Sequence, residues 1–295
     1  MGSGPRPHPR VWKGHGTEND FVIVADLDDE LELHADVVRA LCDRRAGIGG
    51  DGVLRVVRTE HTEAAPDAGR APYFMDYRNA DGSVAEMCGN GIRVFVRYLH
   101  HAGLIDGSTV VATRGGLRPT TLHPDGTVTV SMGVPELLTA TPRVTPRGNT
   151  TAITGRALVV PNPHVVVPVA DRDALAALDL SVAPAVEPPL PDGQNVEFVA
   201  RLGPRHLALR VHERGSGETR SCGTGICAAV VATAVAERAE RSGDEWRVDV
   251  AGGRCTVRWQ PDGDVTLTGP AVLVGAVELD ESWLAELADL ARLGG

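Results

Sequence analysis

Residues 77–99 read YRNADGSVAEMCGNGIRVFVRYL, and this stretch indicates how the first half of the chain folds. After Cys88 and a Gly-Asn-Gly triplet, the apolar positions recur at the spacing of one buried helix face, namely Ile92, Phe95, Val96 and Leu99. Cys88 therefore stands where a helix begins. The free backbone N–H groups and the dipole of a helix start favour a thiolate, so we expect Cys88 to act as a base or nucleophile.

A second stretch repeats this arrangement of a cysteine followed by a glycine-led helix start. Residues 213–240 read ERGSGETRSCGTGICAAVVATAVAERAE, and CGTGI at Cys222 matches CGNGI at Cys88 in four of five positions. The run from Ala228 to Ala236 is apolar nearly all round, which predicts a helix buried on every side, and helix-forming residues continue through 237–241. Two thiols on two glycine-led helix starts indicate an old duplication.

The remaining pattern predicts short strands and a few helices in two similar halves, joined by the proline-containing segment 141–150. We expect loops at 13–20 (KGHGTEND), 59–72 and 184–193. The predicted helices are 34–42, 172–180 and 282–290. The predicted strands are 21–25, 53–57, 109–113, 117–122, 127–131, 165–169, 196–201, 206–212, 246–250, 254–260, 265–268 and 272–278.

Composition excludes several classes of function. The chain has 295 residues and a net charge of −10, which argues against a nucleic-acid partner. No apolar run approaches the roughly 18 residues of a membrane span, and the N-terminal MGSGPRPHPR lacks the apolar core of a signal peptide. We therefore expect no membrane association and a cytoplasmic location.

The residues also argue against a metal or an organic cofactor. Five cysteines without a CxxC pair predict free thiols rather than disulfides or a zinc ribbon, with Cys42, Cys227 and Cys255 as ordinary core residues. Lys13 is the only lysine among 29 basic residues, which makes a pyridoxal phosphate enzyme improbable. The G-x-G-x-x-G match at 47–52 follows a helix and precedes a strand, the reverse of a dinucleotide-binding turn.

Two thiols can invert a carbon acid without a cofactor. Inversion next to a carboxylate requires a base on one face, an acid on the other, and positive potential for the developing charge. Cys88 and Cys222 would supply the first two as a thiolate and a thiol, and the helix starts would supply the third.

These motifs resemble the diaminopimelate epimerases, cofactor-independent amino-acid racemases, from Lys13 to about Val277. The matching pieces are NDF at 19–21, GIGGDG at 47–52, NADGS and MCGNG around Cys88, NPH at 162–164, NVEF at 195–198 and ERGSGETRSCGTG around Cys222. The resemblance implies an α/β (α+β) fold of two pseudo-symmetric domains. Each is a barrel-like, mostly antiparallel sheet around a central helix, with the site in the cleft between them. It implies domains at 1–131 with 270–295 and at 132–269, and a homodimer.

The resemblance also implies roles in converting LL-2,6-diaminopimelate to the meso form, with Cys222 as proton acceptor and Cys88 as proton donor. The residues expected to hold the reacting carboxylate are Gly89, Asn90, Gly223 and Thr224. Those expected to bind the distal amino-acid centre are Asn19, Asn79, Asn162, Asn195, Glu213 and Arg214. His164 and Glu213 would tune the pKa values of the thiols, and no metal is implied.

Two alternatives stay open at this stage. One is a proline-type racemase on the same fold, and the other is a thiol redox protein that uses Cys88 and Cys222. Without the resemblance, Asn19 and Asn79 read as turn residues, and 213–214 as a solvated ion pair. The chain also departs from the usual family pattern at Glu18, Gly52 and Pro161, where many members carry Gly, Gln and Gly.

Overall fold

The computed structural model describes residues 10–65 and 68–293. Contacts divide the chain into two compact units. The first comprises the chain up to Gly16, Asp20–Pro119 and the chain from Ala271 on, and the second comprises Thr17–Asn19 and Thr120–Pro270. Over the described ranges, none of the helices has the length and apolar character that crossing a membrane requires.

The elements of the first part of the chain are β1 (Arg10–Gly16), β2 (Asn19–Ala25), α1 (Ala35–Cys42), β3 (Gly52–Arg58), β4 (Tyr73–Asn79), α2 (Gly89–His101), β5 (Thr109–Thr113), β6 (Gly116–Leu122) and β7 (Thr127–Ser131). Short 3₁₀ turns lie at Thr59–His61 and Ala68–Arg70. The remaining elements are β8 (Glu136–Leu137), β9 (Arg143–Thr145), β10 (Ile153–Thr154), β11 (Arg156–Val159), β12 (Pro163–Val169), α3 (Arg172–Ala176), β13 (Ala185–Glu187), β14 (Asn195–Gly203), β15 (His206–Glu213), β16 (Gly217–Thr219), α4 (Gly223–Ala236), β17 (Glu245–Val250), β18 (Gly253–Trp259), β19 (Val265–Pro270), β20 (Val272–Glu278) and α5 (Glu281–Leu293).

In the first unit, strands surround helix α2. β2 runs parallel to β3, β3 pairs antiparallel with β4, and β4 runs parallel to β5. β1 pairs antiparallel with β20, and α2 packs against β1, β3, β4 and β20. The predicted helix face is confirmed, because its four apolar side chains are fully buried. This packing fixes the N-terminal end of α2, which carries Cys88.

The second unit repeats this order of pairings around helix α4. β12 runs parallel to β14, β14 pairs antiparallel with β15, and β15 runs parallel to β17. From β17 the sheet continues antiparallel through β18, β19 and β7. The contacts therefore assign β7 to the second unit. The boundary predicted from the sequence had put residues 120–131 in the first domain. α4 contacts β11, β12, β14, β15, β18 and β19. Its residues from Gly223 to Ala232 are buried, as an all-round apolar helix requires.

Four sequence-based predictions of local structure were wrong. In the loop predicted at 184–193, residues 185–187 form β13, which pairs antiparallel with β9. Residues 13–16, predicted as loop, belong to β1, which forms because β20 lies beside it. α4 ends at Ala236 instead of continuing through 241, since Arg238 turns to a φ of 56°. α3 ends at Ala176, where the guanidinium of Arg210 donates to the carbonyls of Leu175 and Ala176.

The turn between β1 and β2 makes Glu18 conformationally costly. Thr17 and Glu18 lie at φ of 50° and 61°, in the left-handed region that glycine adopts without steric cost. For other residues this region costs about 1–2 kcal/mol. We therefore expect Glu18→Gly to have a free energy of unfolding about 1 kcal/mol higher than Glu18→Ala in urea denaturation. Both variants lose the exposed ion pair with Arg220, so equal stabilities would contradict the strain argument.

Candidate functional site

The first predicted thiol lies at the N-cap of α2, as the sequence indicates. Cys88 has extended backbone angles, and its Sγ accepts a hydrogen bond from the N–H of Gly91 at 3.4 Å. The side chain is half-buried, while Gly89 and Asn90 behind it are buried. A Cβ at Gly91 would lie 3.1 Å from Leu54 Cδ2, so the close approach of this helix start to β3 favours glycine. The arrangement leaves the sulfur at the positive end of α2.

Asn79 ends β4 in the same unit, opposite Gly52 in the β3–β4 ladder. Its backbone N–H donates to the carbonyl of Ser83 at 2.9 Å, and its side-chain Nδ2 donates to Ser83 Oγ at 3.0 Å. A Cβ at Gly52 would lie 2.4 Å from the carbonyl oxygen of Arg78. This strand pair therefore leaves no room for a larger side chain at Gly52.

The second thiol lies at the N-cap of α4 and is held by more side chains than the first. Cys222 is only 6% exposed, and Thr224 Oγ1 lies 3.3 Å from its Sγ. Asn195 Nδ2 donates to the sulfur at 3.7 Å, and the Glu213 carboxyl is also hydrogen-bonded to it. Thr219 supplies a further hydroxyl to the Glu213 carboxylate. The thiol therefore sits in a nearly closed polar pocket within the second unit.

These surroundings act against the thiolate of Cys222. Burial raises the pKa of Cys222 well above its ordinary value, and the negative charges of Glu213 and Glu197 raise it further, against a hydrogen bond from Thr224. Burial also raises the pKa of Glu213, although bonds from Thr219 and Cys222 oppose this. The helix start by itself favours the thiolate. At Cys222, burial and the neighbouring carboxylates outweigh this effect of the helix and favour the protonated thiol.

Three of the predicted binding residues, Asn19, Asn195 and Arg214, belong to the second unit. Asn195 Oδ1 accepts the backbone N–H of Arg214 at 2.9 Å, which joins the end of β15 to β14. The guanidinium of Arg214 is exposed and donates to the carbonyl of Asp192. Asn19 is half-buried and belongs to this unit with Thr17, whose hydroxyl lies 2.6 Å from that of Ser221.

His164 and Asn162 form a further part of the second unit. His164 is fully buried, with Nδ1 2.7 Å from Glu197 Oε1 and Nε2 3.0 Å from Asn162 Oδ1. Sequence reasoning assigned no role to Glu197, although a lone carboxylate inside the apolar strand pattern of NVEF was a usable signal. Thr219 was missed as well, because its contact with Glu213 depends on the pairing of β15 with β16.

The other three thiols lie in the core, as predicted. Cys42, Cys227 and Cys255 are buried and form no disulfide, and burial raises the pKa of Cys42 to about 11. Among the residues that the structure describes, no group of three or more His, Cys, Asp or Glu is arranged to hold a metal ion.

The structural relatives are enzymes and related proteins of one fold. A PhzF-family phenazine biosynthesis protein of Bacillus anthracis superimposes with a TM-score of 0.67 at 16% identity, covering 93% of this chain and 100% of that one. A probable proline racemase from Agrobacterium radiobacter gives 0.66 at 15% identity, covering 92% and 93%. At these identities the likeness shows the fold alone, and it confirms the predicted α/β class.

The sequence comparisons identify the family. The family model described as diaminopimelate epimerase matches residues 11–138 and 157–274. The chain is 51% identical over 286 residues to the diaminopimelate epimerase of Streptomyces coelicolor, covering 92% of this chain and 96% of the relative. It is 49% identical over 272 residues to that of Thermobifida fusca, covering 90% and 96%. The chain therefore belongs to the diaminopimelate epimerase family.

Proposed function

We propose that this protein epimerises LL-2,6-diaminopimelate to meso-diaminopimelate without a cofactor, supplying lysine and peptidoglycan synthesis. The observation that carries the proposal is the pair of thiols, Cys88 and Cys222, each at the N-cap of a buried helix in one of two repeats of the same strand order. Relatives at 42–51% identity that bear the name diaminopimelate epimerase support the choice of substrate. We further propose a homodimer in the cytoplasm.

Cys222 acts as the base for the LL substrate. Its thiolate takes the α-proton, the C–H bonding electrons pass into the α-carbon and its carboxylate, and the thiol of Cys88 gives a proton to the opposite face. Burial and the Glu213 carboxylate raise the pKa of Cys222, which makes its thiolate a stronger base towards a weak carbon acid. The reverse reaction exchanges the two roles, because turnover leaves Cys88 as the thiolate.

The helix starts stabilise the charge that develops on the reacting carboxylate. The first backbone N–H groups of a helix have no acceptor inside that helix, and Gly89, Asn90, Gly223 and Thr224 hold these first positions in α2 and α4. These N–H groups would donate hydrogen bonds to the carboxylate oxygens, and the bonds would become stronger as negative charge develops there. Such fixed dipoles replace the electron sink that a cofactor would provide.

The distal amino-acid centre needs a cation for its carboxylate and acceptors for its ammonium. The exposed guanidinium of Arg214 supplies the first. The side chains proposed to complete this grip are the amides of Asn19, Asn79, Asn162 and Asn195 and the carboxylate of Glu213. His164 and Glu213 set the charge near Cys222. A proline substrate has no second zwitterion for these groups, so we favour diaminopimelate over the proline-type alternative.

The proposal is tested by incubating reduced protein with LL-diaminopimelate in deuterium oxide. We expect deuterium at one α-carbon only, in product of meso configuration, because the donating thiol exchanges its proton with solvent. Proline in a parallel reaction should acquire no label. Unlabelled diaminopimelate would reject the epimerase function, and labelled proline would favour the rival racemase.

A further inference from the structure

Glu197 is a buried carboxylate to which the proposed reaction assigns no task. It lies on β14, two residues after Asn195, and its side chain is fully buried. Its Oε1 lies 2.7 Å from His164 Nδ1, while Oε2 has no hydrogen-bond partner within the described part of the chain. Burying a carboxylate is costly unless a cation or a strong donor compensates, and the group that faces Oε1 is the His164 ring.

Glu197 also packs against the start of α4. A Cβ at Gly225 would lie 2.6 Å from Glu197 Oε1 and 3.1 Å from its Cγ, so the carboxylate packs directly against the first turn of the helix. This end of the helix carries partial positive charge. The glycine at position 225 therefore leaves room for the Glu197 side chain.

Both ring nitrogens of His164 face acceptors. Nδ1 faces the Glu197 carboxylate, and Nε2 faces Asn162 Oδ1 at 3.0 Å. A neutral imidazole has one donor and one acceptor nitrogen, and only the doubly protonated ring can donate to both oxygens. The other titratable groups of this cluster are Glu213 on β15 and the thiol of Cys222 at the start of α4.

We propose that Glu197 is a positioning residue that keeps His164 protonated on both ring nitrogens and, through Nε2–H, fixes the amide of Asn162. With Oδ1 bound to the ring, the Nδ2 group of Asn162 is left to donate to the substrate. The specific role of Asn162 rests on the proposed function. The imidazolium and the Glu197 carboxylate form a neutral pair, which leaves Glu213 as the acidic group bonded to Cys222.

The protonation state can be measured without any substrate. In ligand-free protein labelled with ¹⁵N-histidine, the ring nitrogens of His164, assigned by comparison with His164→Gln, should both carry protons at pH 7.5. In Glu197→Gln one of them should lose its proton. A His164 ring with one unprotonated nitrogen in the wild-type protein would overturn the proposal, whether or not the protein is an epimerase.

Kinetics test the second step, from His164 to Asn162. We expect Glu197→Gln to raise KM for LL-diaminopimelate about 10-fold or more while kcat changes much less, because the lost contact serves substrate binding. His206→Gln breaks another histidine–carboxylate pair of this unit, with Asp249 at 3.0 Å, and should leave KM unchanged. In an Asn162→Ala background, Glu197→Gln should have no further effect on KM. Additive effects would overturn the link.

Discussion

Replacing Cys222 by alanine is expected to lower kcat/KM for LL-diaminopimelate by at least about 10³-fold, because the variant has no base on the face that carries the α-hydrogen. The same variant should still exchange the α-hydrogen of meso-diaminopimelate for solvent deuterium with retention, since Cys88 remains at the start of α2. Cys88→Ala should behave in the opposite way. It should exchange deuterium into the LL substrate and fail to invert it.

These variants are compared by chiral chromatography and mass spectrometry of the recovered substrate. Cys227→Ala is the matched control, because this buried thiol lies in α4 beyond the first turn and is assigned no proton transfer. It should keep activity within about 3-fold of wild type. Inversion of the LL substrate by either single-thiol variant at more than a few per cent of the wild-type rate would contradict a two-base mechanism.

Asp76→Ala is expected to lower the free energy of unfolding by about 3–5 kcal/mol, the usual cost of removing one partner from a buried ion pair. Asp76 is fully buried on β4, and three guanidinium groups surround its carboxylate. Arg114 donates at 2.7 Å, Arg78 at 2.9 Å and Arg55 at 3.1 Å. Removing the Asp76 carboxylate leaves the positive charges of these arginines without their shared anion, which destabilises the folded state.

The pH dependence of stability separates this charge effect from a packing defect. Burial acts to raise the pKa of Asp76, but hydrogen bonds from Arg78 and Arg114 outweigh it and hold that pKa below its ordinary value. A carboxyl with a lowered folded-state pKa contributes stability above its unfolded pKa of about 4, and loses it as the pH falls through the folded value. The stability difference between wild type and Asp76→Asn should therefore narrow below about pH 4.

Urea denaturation at pH 7 and at acidic pH measures both effects. Asp28→Asn is the control, because it breaks an exposed pair with Arg58, 2.8 Å long, which should contribute less than about 1 kcal/mol. If Asp76→Ala were as stable as this control, the prediction would be contradicted, because other groups would then balance the charges of the three arginines.

The sequence by itself determined the helix starts and the family. CGNGI and CGTGI place each thiol directly before a helix. The apolar periodicity of residues 92–99 and the almost entirely apolar run 228–236 predicted the two buried helices. Such features are local, because capping, helix periodicity and turn preference depend on neighbours within about four residues. The duplication followed from them without any coordinates.

Only the tertiary structure decided what surrounds the second thiol. Glu197, His164 and Glu213 come from three different strands, and their charges act on one another because β12, β14 and β15 pair in this register. Pairing across the sheet also created β1, while a left-handed residue ended α4 at Ala236 despite good helix formers beyond it. These outcomes depend on side chains that are distant in the sequence and close in the fold. A local sequence pattern does not show which groups become buried together or how burial and neighbouring charges shift their pKa values.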